Sequence, residues 1–170
     1  MTRRPARDEA AEYYFGYINQ VPGNLVLPVL ASQLGEMLAL FDGISEEQSL
    51  LRYAPDKWTI RQALNHVNDT ERLFVFRAFW FARGFDTPLP SFDQNVAVAA
   101  AGADARSWGS HLEEFRRVRG ATITFFRSLP PEAWARRGIA SDNPFTVRAL
   151  AYIGAGHVAH HVRILRERYL

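Results

Sequence analysis

The sequence predicts an all-α fold, a four-helix bundle, and three observations carry that reading. Four long stretches place apolar residues at helical spacing. Turn-forming residues gather between those stretches, and no segment shows the apolar–polar alternation of a half-buried strand. At 170 residues the chain fits one domain with a sizeable core, and its 48% apolar and 22% charged residues are those of a water-soluble globular protein.

Residues 1–20 read as a tail ahead of a bundle domain at 21–170. Tyr13-Tyr14-Phe15-Gly16-Tyr17 is too aromatic to stay in water and is expected to pack on the body. The first long helix runs from about Asn24 to Phe41, with Leu27, Leu30, Leu34, Met37, Leu38 and Phe41 on one stripe and Gly43 closing it. The second starts at Thr59, where Thr59-Ile60-Arg61-Gln62 has the spacing of a capping box, and continues to about Arg83 before Gly84. The third covers roughly Asp104 to Leu129, with Trp108, Leu112, Phe115, Thr122, Phe126 and Leu129 on one side, and Pro130-Pro131 ends it. The fourth begins near Thr146, after Asn143-Pro144, and runs almost to Leu170. Short helices are expected at Gln94–Ala101 and Pro131–Arg136. The connection between the second and third helices, Phe85 to Gly102, is long for a compact domain, and such connections usually cover or build something.

Composition removes several functions. The chain has no cysteine, which excludes disulfides, a cysteine nucleophile and thiolate zinc sites. The net charge is +2, and the arginines are interleaved with acids, as in Glu113-Glu114-Phe115-Arg116-Arg117, rather than gathered in a basic stripe, so nucleic-acid binding is not expected. No apolar run approaches the roughly 18 residues of a membrane span, and no apolar segment follows the basic Met1–Arg7 start as a secretory signal requires. The expected compartment is the cytoplasm, with no membrane partner.

The fourth helix holds the chemistry. Val147, Leu150, Gly154, His157, His161, Ile164 and Arg168 follow alternating steps of three and four, the core seam of a bundle helix. His157 and His161 occupy seam positions that would otherwise be apolar, and at i, i+4 they share one face. His160 lies about 100° round from His161 and is not counted as a ligand. On the second helix the seam is Ala63, His66, Thr70, Leu73, Arg77 and Phe81, so His66 is a third inward histidine. A lone buried histidine is ordinarily a hydrogen-bonded core residue. Three of them, two at ligand spacing, share one explanation: a single metal ion satisfies all three imidazoles. Three nitrogen ligands leave a position open for water or substrate, and such a site suits zinc, nickel, copper or ferrous iron.

Around this triad, Asp69 stands three residues after His66 and is expected to orient its imidazole. Asp93 and Gln94, on the long connection, either reach over the metal or cap a short helix. Arg77 shares the His66 face but stands roughly 16 Å along the axis, so it is either in a buried ion pair or an anion contact deeper in the cleft. His111 falls beside a charged face and reads as solvent-exposed.

The runs Asn65-His66-Val67-Asn68-Asp69-Thr70-Glu71-Arg72, Phe81-Ala82-Arg83-Gly84 and Leu89-Pro90-Ser91-Phe92-Asp93-Gln94 resemble the DinB/YfiT-like superfamily. So do Gly156-His157-Val158-Ala159-His160-His161, Arg166-Glu167-Arg168-Tyr169 and the Tyr53–Thr59 segment, together spanning roughly residues 20 to 170. The extra His160 beside the last ligand position departs from the pattern. The resemblance implies helices in up-down-down-up order, a homodimer, and one divalent ion held by His66, His157 and His161. Zinc or nickel comes first for that ion, then iron or manganese. It implies a metal-dependent hydrolase, or a transferase that uses a low-molecular-weight thiol, acting on a small molecule. Two other readings remain: a metal-binding, stress-associated helical protein without turnover, because no general base accompanies the triad, and an interaction module whose histidines are ordinary core.

Overall fold

The computed structural model describes residues 3–170. Its elements are α1 (Phe15–Ile18), α2 (Val26–Asp42), α3 (Ile60–Ala82), α4 (Gln94–Ala100), α5 (Trp108–Arg127), the strands β1 (Arg137–Ala140) and β2 (Asn143–Thr146), and α6 (Val147–Arg168). Among the described residues, no helix is long and apolar enough to cross a membrane.

Helices α2, α3, α5 and α6 form the bundle. Helices α2 and α3 each pack against both α5 and α6, and the consecutive pairs α2/α3 and α5/α6 lie across the diagonal. Side chains fix the directions. The Arg61 guanidinium at the start of α3 donates to the Asp104 and Arg106 carbonyls just before α5, so α3 and α5 run parallel. The Trp108 indole at the start of α5 donates to the Phe41 carbonyl at the end of α2, and the Tyr169 hydroxyl after α6 donates to the Trp58 carbonyl before α3. Helices α2 and α6 are therefore antiparallel to that pair, which is the expected up-down-down-up order. Because α3 and α5 are parallel, the chain must return the length of a 23-residue helix, roughly 34 Å, before α5 can start. That return is the reason for the long connection.

The helix ends follow local chemistry. Thr59 caps α3: its Oγ1 accepts from the Gln62 amide and the Gln62 side chain accepts from the Thr59 amide, both at 3.0 Å. Ser107 and Thr146 cap α5 and α6, accepting from the Ser110 and Ala149 amides. Gly84, at φ +84°, turns the chain out of α3.

Four expectations are corrected. Residues 137–146 form a two-stranded antiparallel hairpin, with Ser141 and Asp142 both at positive φ in the tight turn. Its strands are four residues long and one contains Pro144, so they carry no readable alternation. His111 is not exposed but fully buried, its Nε2 donating to the Ala103 carbonyl at 2.9 Å. Helix α5 starts at Trp108 rather than near Asp104, and the turn at residues 103–105 folds over His111. Near the end of α6 the seam drifts, so that Leu165 is buried while Arg168 is exposed.

The N-terminal residues pack closely. Arg4 donates to the Ile18 and Val21 carbonyls, and buried Glu9 accepts from Thr146 Oγ1 at 2.8 Å and Arg148 Nε at 2.9 Å. Helix α1 then lies against α6 so closely that a Cβ added at Gly156 would sit 2.1 Å from the Tyr17 carbonyl oxygen. Only glycine permits that approach.

Candidate metal centre

His66 stands in the second turn of α3, and His157 and His161 stand one above the other on α6, the helix most extensively packed against it. All three rings aim their Nε2 atoms at one point. Nε2 of His157 is 3.1 Å from Nε2 of His66 and 3.1 Å from Nε2 of His161. One ligand atom from each residue lies within 4.8 Å of the other two. A tetrahedral ion with bonds of roughly 2.0–2.1 Å spaces its ligand atoms about 3.3 Å apart, so the cluster is already close to ligand spacing.

The surroundings favour neutral rings. Burial lowers the pKa of His66 to about 4, helped by the nearby His160. Burial, with His66 and His160, lowers His161 to about 3. His157 is pushed well below the ordinary histidine value by burial first, then by the other two rings. Neutral imidazole is the ligating form. Apolar and aromatic neighbours wall the rings in. Trp58 tilts against His66 at 4.9 Å between centroids, and Tyr17 and Phe74 meet His157 edge-on at 5.5 and 6.0 Å. Burial of Tyr17, and its contact with the Tyr13 hydroxyl, raise the Tyr17 pKa, so it stays a neutral phenol.

The remaining predicted residues are placed as follows. Asp69 does not orient His66: one carboxylate oxygen accepts from Asn65 Nδ2 at 2.7 Å and the other meets Arg72 at 3.3 Å. Position i+3 turns its carboxylate toward the α5 side, away from the imidazole. Thr70, at i+4, stands against the ring instead: its hydroxyl donates to the His66 carbonyl at 2.5 Å, and Oγ1 lies 3.3 Å from His66 Nδ1 and 3.4 Å from Nε2. Asp93 is a helix cap, accepting from the Asn95 and Val96 amides at the start of α4. Gln94 lines a pocket of about 170 Å³ that His66 and His157 share with Tyr13, Tyr14 and Tyr17. A second pocket, about 260 Å³, is reached by His161 and bounded by Asp56, Trp58, Asn95 and Tyr169. His160 stays outside the cluster, edge-on to Tyr17.

Two features were missed in the sequence. The tyrosines of the apparent tail form a wall of the site, and only their density hinted at it. A second polar cluster also lies inside the bundle: fully buried Arg119 pairs with Glu71 at 2.8 Å and donates to Gln33 Oε1 at 3.1 Å, while Gln33 donates to the Ala155 carbonyl. The signal for Arg119 was the seven-residue gap between Phe115 and Thr122 in the α5 seam, which Arg119 fills.

The fold has solved counterparts. YfiT from Bacillus subtilis, described as a probable metal-dependent hydrolase with an unusual four-helix bundle topology, aligns over 96% of this chain and 91% of its own, with a TM-score of 0.66 and 18% identity. The mycothiol-dependent maleylpyruvate isomerase aligns over 85% of this chain with a TM-score of 0.69 and 12% identity, and the match spans 61% of that protein. No curated protein matches the chain by sequence. The family model of the DinB superfamily matches residues 30–165, nearly the whole bundle with all three histidines, and the chain belongs to that superfamily.

Proposed function

We propose that His66, His157 and His161 bind one divalent metal ion and that the protein is a metal-dependent enzyme acting on a small molecule. The observation that carries this reading is the convergence of three neutral Nε2 atoms at near-ligand spacing. Without an ion, three imidazoles of the same kind must share hydrogen bonds that cannot all be satisfied. Thr70 Oγ1 packs against the His66 ring, 3.3 Å from Nδ1 and 3.4 Å from Nε2, and helps to hold the ring in place. Trp58, Phe74 and Tyr17 keep bulk water from the rings.

A bound divalent ion lowers the pKa of a coordinated water or thiol. Among the described residues no carboxylate hydrogen-bonds a triad histidine, so no general base stands at the triad itself; the nearest in a shared pocket is Asp56, which lines the pocket that His161 reaches. A coordinated thiol needs no such base, because the ion itself deprotonates it, and this favours the thiol branch over the hydrolase branch. The solved neighbours include one protein of each kind, a probable metal-dependent hydrolase and a mycothiol-dependent isomerase. The same missing base also supports a second reading, a metal-binding protein without turnover.

The test is elemental analysis of the purified protein and of His157→Ala, followed by an assay of zinc- and nickel-loaded protein for consumption of a small thiol with an electrophile. One equivalent of metal in the parent, near none in the variant, and thiol consumption that follows the metal support the enzyme. Equal metal in both proteins sinks the site, and metal without any turnover leaves the non-catalytic reading.

A further inference from the structure

Four arginines are buried in this protein, Arg61 at 4% exposure, Arg77 at 2%, Arg119 at 0% and Arg148 at 8%. Three have carboxylate partners: Glu46 for Arg61, Glu71 for Arg119 and Glu9 for Arg148. Arg77 has none among the described residues. Its Nη2 donates to the Pro90 carbonyl at 3.0 Å and to Ser141 Oγ at 2.8 Å, and its Nε is buried without any hydrogen bond. The Tyr14 phenol beside it is neutral, its pKa raised by burial. An arginine cannot shed its charge, so a buried guanidinium without a counter-charge is costly to keep.

Arg77 is also the only one of the four that lines the pocket shared by His66 and His157. No carboxylate, lysine or other arginine lines that pocket. Arg77 stands roughly 16 Å from His66 along the α3 axis, at the other end of the shared pocket, with its guanidinium held by Pro90 and Ser141. We propose that Arg77 is the anion-binding residue of this site, and that the substrate is a small molecule with a carboxylate at the end away from the histidines. A carboxylate there gains charge-assisted hydrogen bonds from a guanidinium that is already desolvated. The substrate class rests on the metal-site reading above; the anion site itself does not.

The experiment is calorimetric titration of butyrate, and of its neutral isostere butyramide, into zinc-loaded and zinc-free protein. Arg77→Met, Arg77→Lys and a parallel zinc titration serve as controls. Butyrate is expected to bind on the order of tenfold or more tighter than butyramide, with and without zinc. Arg77→Met loses that preference, Arg77→Lys keeps part of it, and both still take up one zinc. A brace that only ties the connection to the hairpin would change the melting temperature of the variants without moving the preference. In the parent protein, the Arg77 Nε–H resonance in arginine-selective NMR should shift with butyrate and not with butyramide, a readout independent of how the variants fold. Equal binding of acid and amide, no binding of either, or a preference that survives Arg77→Met overturns the inference. If zinc uptake fails while the preference holds, the metal reading falls and the anion site stands.

Discussion

Two polar clusters lie side by side in the bundle, and they are opposite in kind. Glu71, Arg119 and Gln33 bring together an anion, a cation and an amide, so each charge meets its opposite within the chain, although Arg119 Nε and Glu71 Oε1 make no hydrogen bond. His66, His157 and His161, five residues away along α3, bring together three copies of one group. Burial lowers the proton affinity of all three, His66 and His161 lower that of His157 further, and none supplies what its neighbours lack. The first cluster is charge-balanced as the chain folds. On the proposed reading the second is completed by a metal ion from outside. The difference separates a polar element of the core from a binding site, although both are equally buried.

The largest expected effect tests the first cluster. Arg119→Ala should destabilise the protein by about 3–5 kcal/mol in chemical denaturation, because it leaves Glu71 buried without a counter-charge. The double change Glu71→Leu with Arg119→Met should recover most of that loss. If the single variant costs under about 1 kcal/mol, the cluster is not the closed ion pair described here.

The histidine cluster is probed by pH. Lowered pKa values mean that the unfolded chain takes up protons near pH 6.5 while the folded chain does not. Stability of the metal-free protein should therefore fall as pH drops from about 6.5 toward 4. The slope approaches about 1.4 kcal/mol per pH unit for each histidine, and the loss levels off once the folded rings protonate. Denaturation between pH 7 and 5 reads this before most carboxylates titrate. A flat profile there would mean that the rings are not held neutral.

Smaller effects concern the walls and supports of the site. Gly156→Ala should cost about 1–3 kcal/mol, because its methyl meets the Tyr17 backbone. It should also loosen residues 13–18, read as faster amide exchange there than in α3. Thr70→Val should leave stability nearly unchanged and weaken zinc binding about tenfold, since it removes the hydroxyl that stands against the His66 ring. An unchanged affinity would assign the holding of that ring elsewhere.

How much was legible follows the same division. The four bundle helices and the capping box at Thr59 rest on local periodicity and local hydrogen bonds, so the sequence displays them. The three histidines were visible because the seam of a bundle helix admits few polar residues. What escaped depended on partners far away in the chain. Arg119 is intelligible only with Glu71 and Gln33 beside it, and Asp69 turned to Asn65 and Arg72 instead of His66. Tyr17 joined the site only because Gly156 lets α1 lie flat on α6. The hairpin at residues 137–146 is held by its turn and by Leu89, whose amide donates to the Ile139 carbonyl across the long connection.

The central claim is that three histidines from two helices bind one divalent ion through their Nε2 atoms. Long-range 1H–15N spectra of the imidazole side chains, recorded as zinc is added to metal-free protein, test it most directly. The account predicts that Nε2 of His66, His157 and His161 shift together and saturate at one equivalent, while the rings of His111 and His160 keep their positions. Saturation that leaves any of the three unshifted, or no response to zinc at all, would contradict it.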